Sequence, residues 1–224
     1  MLIKIIRKIA RWLIHTVARI EYINFDRIPE SGSAIVVTNH LGRLDAMMGA
    51  VLTNRDDVLM FIAEKYQKYL VWRWFARQFD AVWLNRFDVD LHAMRQAYKR
   101  LKAGEILAMA PEGTRSQTEA LLPGKPGAAY LAAKTQALVI PLALTGTEDR
   151  VVKARLRRLK RLDITIRVGE PYLAPPMDRE NRDAFLQTQT DEMMCRIAAL
   201  LPEKYRGVYA DHPRLAELLR GTAE

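Results

Sequence analysis

Short apolar, β-rich runs alternate with helix-like stretches along most of this chain, and that alternation restricts it to a layered α/β architecture. Ala34-Ile-Val-Val-Thr38, Val58-Leu-Met-Phe-Ile62, Ala81–Leu84, Ile106–Ala110, Leu138–Leu144 and Ile164–Val168 read as strands. Tyr66–Phe79, Asp88–Ala103 and Gly127–Gln136 read as the helices between them, the second stopped by Gly104, and Leu44–Val51 has helix-like composition. A long helix over Asp178–Leu201 and a polar tail over residues 202–224 close the chain. Strands that return through intervening helices run parallel, because only a long crossover brings the chain back in the same direction. The expected fold is therefore α/β, a largely parallel central sheet flanked by helices. It forms one domain over residues 23–224, preceded by a basic amphipathic helix over residues 1–22.

In that N-terminal segment Lys4, Arg7, Lys8, Arg11, His15 and Arg19 recur at helical steps, opposite Leu2, Ile5, Ile6, Ile9, Leu13, Val17 and Ile20. Charges interrupt it too often for a signal-peptide core, and the chain has no run of 18 uncharged apolar residues. Two readings stay open: a helix lying in a membrane interface with Trp12 near its boundary, or a helix packed on the domain with its basic face in water. The net charge of +9 favours polyanionic partners, whether anionic lipid, nucleic acid or phosphorylated ligands. The single cysteine, Cys195, forms no intrachain disulfide and falls in a periodic helix, where it reads as core.

Two blocks carry chemistry. Asn39-His-Leu-Gly-Arg-Leu-Asp45 follows a strand and offers a histidine base with a carboxylate spaced to turn back and orient it. Alone, this pattern is weak and better describes a hydrogen-bonded histidine at a strand end. Glu112-Gly-Thr-Arg115 also follows a strand, and its chance occurrence in a chain this long is on the order of one in a thousand. Gly113 permits close backbone approach, Thr114 carries a hydroxyl donor, and Arg115 has the fork that grips a phosphate. The plainer alternative is a solvated turn in which Glu112 and Arg115 pair with each other. Both blocks lie beyond strand carboxyl ends, where open α/β sheets bind ligands.

These blocks resemble the glycerolipid acyltransferases of the lysophosphatidic-acid (1-acylglycerol-3-phosphate) acyltransferase type. That family's first motif, Asn-His-x4-Asp, is matched by Asn39, His40 and Asp45, and its Pro-Glu-Gly-Thr-Arg-Ser by Pro111–Ser116 without change. Its second motif is answered loosely by Trp83-Leu-Asn-Arg86 and its Val-Pro-hydrophobic run by Val139-Ile-Pro141-Leu-Ala-Leu144, in the same order, over roughly Pro29 to Pro171. The resemblance implies an enzyme moving a fatty acyl group from acyl-CoA or acyl carrier protein to lysophosphatidic acid, giving phosphatidic acid. It implies His40 as general base, Asp45 as its orienter, and Arg86, Gly113, Thr114 and Arg115 at the acceptor's phosphate, with Glu112 shaping the loop. It implies no cofactor beyond the thioester co-substrate, no metal, and a peripheral position on the cytoplasmic face of a membrane. Gly42 and Asn85 depart from the family, which carries a small hydroxyl residue and an acid there, so acceptor identity is the open point. The same chemistry on another lysolipid or glycolipid, or a non-catalytic basic lipid-surface binder, are the alternatives.

Other chemistries find no footing. No Gly-x-Ser-x-Gly elbow, P-loop or zinc spacing is present. The run Arg150–Arg161 carries seven basic residues, which suit lipid headgroups, CoA phosphates, an acidic carrier protein or plain solvent. It lacks interleaved aromatics, and no nucleic-acid recognition module is readable, so no nucleic-acid partner is expected. Trp72, Phe75 and Phe79 share a helical face that reads as core, leaving Tyr69 and Trp74 as candidates for lipid contact. Lys125 reads as a surface lysine or as a second cation near the phosphate loop.

Overall fold

A strand at the centre of a covered parallel sheet needs apolar side chains on both faces, and Ala34–Thr38 meets that need: Ala34, Ile35, Val36 and Val37 are all buried. The computed structural model describes residues 2–45, 48, 53, 55–85, 90–178 and 180–221. In chain order its elements are α1 (Leu2–Val17), β1 (Ala18–Ile23), β2 (Ala34–Thr38), β3 (Val58–Ala63), α2 (Leu70–Gln78), β4 (Val82–Leu84) and α3 (Leu91–Lys102). There follow β5 (Ile106–Met109), α4 (Gly127–Thr135), β6 (Leu138–Thr145), α5 (Asp149–Arg157), β7 (Leu162–Val168), β8 (Tyr172–Leu173), α6 (Arg182–Leu200) and α7 (Pro213–Gly221). The eight strands join one sheet in the order β1-β7-β6-β2-β5-β3-β4, with β8 also on β6. Only β7 and β8 run antiparallel to their neighbour β6. The α/β fold with a largely parallel sheet is as the residue pattern predicts.

Helices cover both faces. On one, Ala93, Ala97 and Leu101 of α3, the alanines of α4, and Met193, Met194 and Ile197 of α6 pack on Ile35, Val37, Leu107 and Val139. On the other, Val36, Met60, Ile106, Ile140 and Ile164 receive Phe75 and Phe79 from α2 and its end, with Ile6, Ala10 and Ile14 of α1. The alternating burial of β7 follows from covering on one side only: Leu162, Ile164, Ile166 and Val168 point in, while Asp163 and Arg167 face water. Asp90 caps α3 by accepting the Ala93 N–H at 2.9 Å, and Gly104 ends it with φ +91°.

Three expectations are corrected. The N-terminal helix stops at Val17 rather than running to residue 22, because Arg161 donates to the carbonyls of His15 and Ala18 (the latter at 2.7 Å) and Ala18–Ile23 pairs along β7. Its basic residues also do not share one water-facing side. Arg7 is buried, donating to the Arg55 carbonyl at 2.6 Å and pairing with Asp56 at 3.0 Å, while Arg11 donates to the Thr53 carbonyl at 3.0 Å. Ile5, Ile9, Trp12 and Leu13 are left facing outward beside Lys8. Finally, the tail is folded, not merely polar: Tyr205 and Tyr209 are buried, and α7 inserts Leu215 beside α6.

Candidate active site

The His40 loop is fixed before its side chains do anything. Asn39, buried at the end of β2, continues the strand pairing with β6 through its side chain: Nδ2 donates to the Leu144 carbonyl at 2.9 Å, and the Leu144 N–H donates to Oδ1 at 2.8 Å. The Pro111–Ser116 block then holds the His40 main chain from both sides. The His40 N–H donates to Glu112 Oε1 at 2.8 Å, and the Ser116 N–H donates to the His40 carbonyl at 2.9 Å. The two sequence blocks, some seventy residues apart, thus form one joint.

His40 Nδ1 lies 2.9 Å from Asp45 Oδ2, which also accepts the N–H groups of Leu41 at 2.7 Å and Gly42 at 2.8 Å. An ionised carboxylate oxygen is acceptor-only, so Nδ1 carries the proton and the lone pair is on Nε2. Asp45 is 3% exposed at its side chain, whereas His40 at 21% still reaches the cavity. A buried carboxylate holding the far side of a partly accessible imidazole is an arrangement suited to a general base.

Glu112 does not pair with Arg115. It is 3% exposed, and its second oxygen accepts the Leu122 N–H at 3.0 Å. Burial pushes its carboxyl up to about 7 from an ordinary 4.5, against the lowering pull of the Leu122 and His40 amides. Gly113 adopts φ +68°, and a Cβ there would stand only 3.1 Å from the Lys125 stem. Thr114 is exposed, and Arg115 bonds Asp149 Oδ2 at 2.6 Å. Arg86 lies outside the described residues, but its neighbour Asn85 lines the cavity.

The cavity has a volume of about 1550 Å³. Its lining combines apolar residues such as Val36, Met48, Met60, Ile106, Leu142 and Ile166 with the polar and cationic Arg95, Lys125, Tyr130, Lys134 and Arg182. His40, Asp45, Gly113 and Arg115 line it, whereas Glu112 and Thr114 do not. Such a space exceeds the roughly 300–1,000 Å³ of ordinary ligand clefts and suits a long amphiphile. Burial pushes the Cys195 thiol up to about 12, so this cysteine is inert core. Among the described residues no cluster of His, Cys, Asp and Glu is suited to hold a metal ion.

Reading by spacing named Asn39 and Ser116 but gave them no role of their own, and it missed Asp149 and the tail. Asn39, Ser116 and Asp149 act across long stretches of chain, and the tail braces the segment that follows Ser116: Tyr209 Oη accepts the Gly124 N–H at 2.9 Å. Gly42 is forced by packing, since a Cβ there would stand 1.9 Å from the Thr147 carbonyl oxygen.

Residues 19–145, which run from β1 to the end of β6 and include both the His40 and the Glu112 blocks, match the family described as Acyltransferase. A 1-acyl-sn-glycerol-3-phosphate acyltransferase from Cocos nucifera is 33% identical over 87 residues, a match that spans 39% of this chain and 28% of that protein. The crystal structure of the 1-acyl-sn-glycerophosphate (LPA) acyltransferase PlsC from Thermotoga maritima is similar in fold, with a TM-score of 0.63 at 22% identity over 84% of this chain and 76% of that one.

Proposed function

Because the chain belongs to the acyltransferase family, we propose that it moves a fatty acyl group from acyl-CoA or acyl carrier protein to the hydroxyl of lysophosphatidic acid, yielding phosphatidic acid. The observation that carries this reading is the 2.9 Å contact of His40 Nδ1 with buried Asp45, which leaves Nε2 free to act as base in a cavity that Arg115 also lines.

Neutral His40 takes the acceptor's hydroxyl proton on Nε2 as that oxygen bonds to the thioester carbonyl carbon. The tetrahedral adduct collapses by breaking the C–S bond, and the departing sulfur takes the proton back from the imidazolium. Ester and free thiol leave, and His40 returns neutral. Asp45 keeps the tautomer and stabilises the transient imidazolium, the duty of the carboxylate in other histidine-based sites. Gly113 and Arg115, which line the cavity, meet the acceptor's phosphate, Glu112 supports the loop from behind, and the apolar lining takes an acyl chain; the family resemblance alone adds Thr114 and Arg86 to the phosphate site. The relatives' printed activities, on lysophosphatidic-type acceptors, support the choice of acceptor.

Such a substrate partitions into bilayers, and the outward Ile5, Ile9, Trp12 and Leu13 of α1 support a peripheral position on a membrane. No helix among the described residues is long and apolar enough to cross one. The test is to incubate purified protein with palmitoyl-CoA or palmitoyl carrier protein and lysophosphatidic acid. Wild type should release thiol and form phosphatidic acid, and His40→Ala should lose on the order of 10²–10⁴ in rate. No phosphatidic acid from wild type with either donor overturns the reading.

A further inference from the structure

Arg115 is not alone on its carboxylate. Asp149, at the start of α5, accepts the Arg43 backbone N–H on Oδ1 at 2.9 Å. Its Oδ2 takes Arg115 Nη1 at 2.6 Å and faces Arg43 Nε at 3.6 Å. One carboxylate oxygen therefore lies between two guanidinium groups, and both arginines line the cavity that His40 enters. The close docking of the loops brings them there: Gly42 fits under the Thr147 carbonyl only because it has no Cβ, and Gly146 (φ +84°) fits under Asp163 for the same reason.

We propose that Arg43 and Arg115 form a two-arginine clamp for the acceptor's phosphate, with the Asp149 carboxylate as a resident anion that the phosphate displaces; this rests on the function proposed above. Two features make Asp149 displaceable. Its side chain is 46% exposed, with Arg43 at 79% and Arg115 at 30%, and ion pairs that wet contribute little to holding themselves together. A phosphate monoester also offers more charge and more acceptor oxygens to the same two forks than a carboxylate does. The clamp has a directional consequence. Asp149 lowers affinity for the anion in exchange for holding both arginines ready, so its removal should tighten binding, whereas loss of Arg43 should weaken it.

The experiment measures acceptor and donor KM for wild type, Asp149→Asn and Arg43→Gln with palmitoyl-CoA and lysophosphatidic acid. Calorimetric titration with sn-glycerol 3-phosphate reads the same site without turnover. Asparagine keeps the oxygen that accepts the Arg43 N–H, so the loop stays folded. Asp149→Asn should lower acceptor KM about five-fold and Arg43→Gln should raise it about ten-fold, the size of one charge-assisted contact. Donor KM should not move, and glycerol-phosphate affinity should follow the same order. Equal values in all three proteins, a rise in acceptor KM for Asp149→Asn, or an effect confined to donor KM each overturns the clamp. If glycerol-phosphate affinities follow the order but wild type makes no phosphatidic acid, the clamp stands and the acyl-transfer reading falls. If phosphatidic acid is made and the order fails, only the clamp falls.

Discussion

His40 and Arg115 line one cavity, yet opposite means hold them. Around His40 the partners are buried: the side chains of Glu112, Asp45 and Asn39, with the Ser116 N–H, fix the loop through hydrogen bonds shielded from water. Around Arg115 the partners are half-exposed side chains whose ion pairs water and salt can replace. A base must hold its lone pair within a narrow geometry, which buried bonds with no competing solvent supply. A recognition group must give up one anion for another, which buried pairs resist and exposed pairs allow. In the proposed mechanism, the difference between the two halves of the site is a difference between positioning and exchange.

The largest effect should come from breaking the rigid half. Asp45→Asn replaces an acceptor that serves Nδ1–H and two backbone N–H groups with an amide whose nitrogen only donates, favouring the wrong tautomer. Rate should fall roughly 10³–10⁴-fold with acceptor KM nearly unchanged, by analogy with other carboxylate–histidine pairs. A loss of less than ten-fold would show that Asp45 does not set the tautomer.

Gly42→Ala strikes the seam between the halves. The new Cβ would lie 1.9 Å from a backbone oxygen, so one loop must move. Overpacking of this kind costs about 1–3 kcal/mol, and a chain of this size loses about 2–4 °C in Tm per kcal/mol. Acceptor KM should rise at the same time, because Arg43 moves with the loop. Tm and KM both matching wild type would mean the loops do not dock this closely in solution.

Glu112→Gln tests the brace. The carboxyl's pKa is raised by burial, so between about 4.5 and 7 the folded chain holds a proton that the unfolded chain has released. Stability from this group is present in full below pH 4.5 and is lost as pH rises through about 7, an effect of up to roughly 3 kcal/mol. Glutamine removes that slope and leaves one backbone N–H of His40 or Leu122 without an acceptor, at a cost of about 1–3 kcal/mol. Denaturant unfolding at pH 5 and pH 8 should show a larger pH difference for wild type than for Glu112→Gln. Equal differences would remove Glu112 as the titrating group.

The same contrast explains what could be read from the chain and what could not. Strands β2, β5 and β6 are legible because burial on both faces, or nearly so, demands continuous apolar residues. β1 was hidden because Arg19 and Ile20 continue the period of the preceding helix, and β8 because Tyr172–Leu173 is too short to show one. α5 buries no residue, so its sequence reads as a charged run. In the site, His40, Asp45 and the Glu112–Arg115 block are local patterns and stand out. Asn39–Leu144 and Arg43–Asp149 are joined only by topology across about a hundred residues, and nothing in the spacing announces them. Glu112 shows the limit of motif reading: its identity was legible, but its position behind His40 and away from the cavity was not.

The smallest effect concerns α1, whose orientation separates apolar from charged contributions to lipid binding. Deleting the first twenty residues is a poor test, because Ala18–Ile20 belong to β1 and their loss would open the sheet edge. Trp12 is 66% exposed and Lys8 is exposed beside it, so point changes at either leave the fold intact. Removing the indole lowers apolar contact with any bilayer, whereas removing the ammonium lowers attraction only to an anionic one, by about 1 kcal/mol or roughly five-fold. Trp12→Ala should therefore weaken sedimentation with both phosphatidylcholine and phosphatidylglycerol vesicles several-fold. Lys8→Gln should weaken it with phosphatidylglycerol alone. If Trp12→Ala matches wild type on both vesicles, the outward face of α1 does not touch lipid, and another surface must bring the cavity to its substrate.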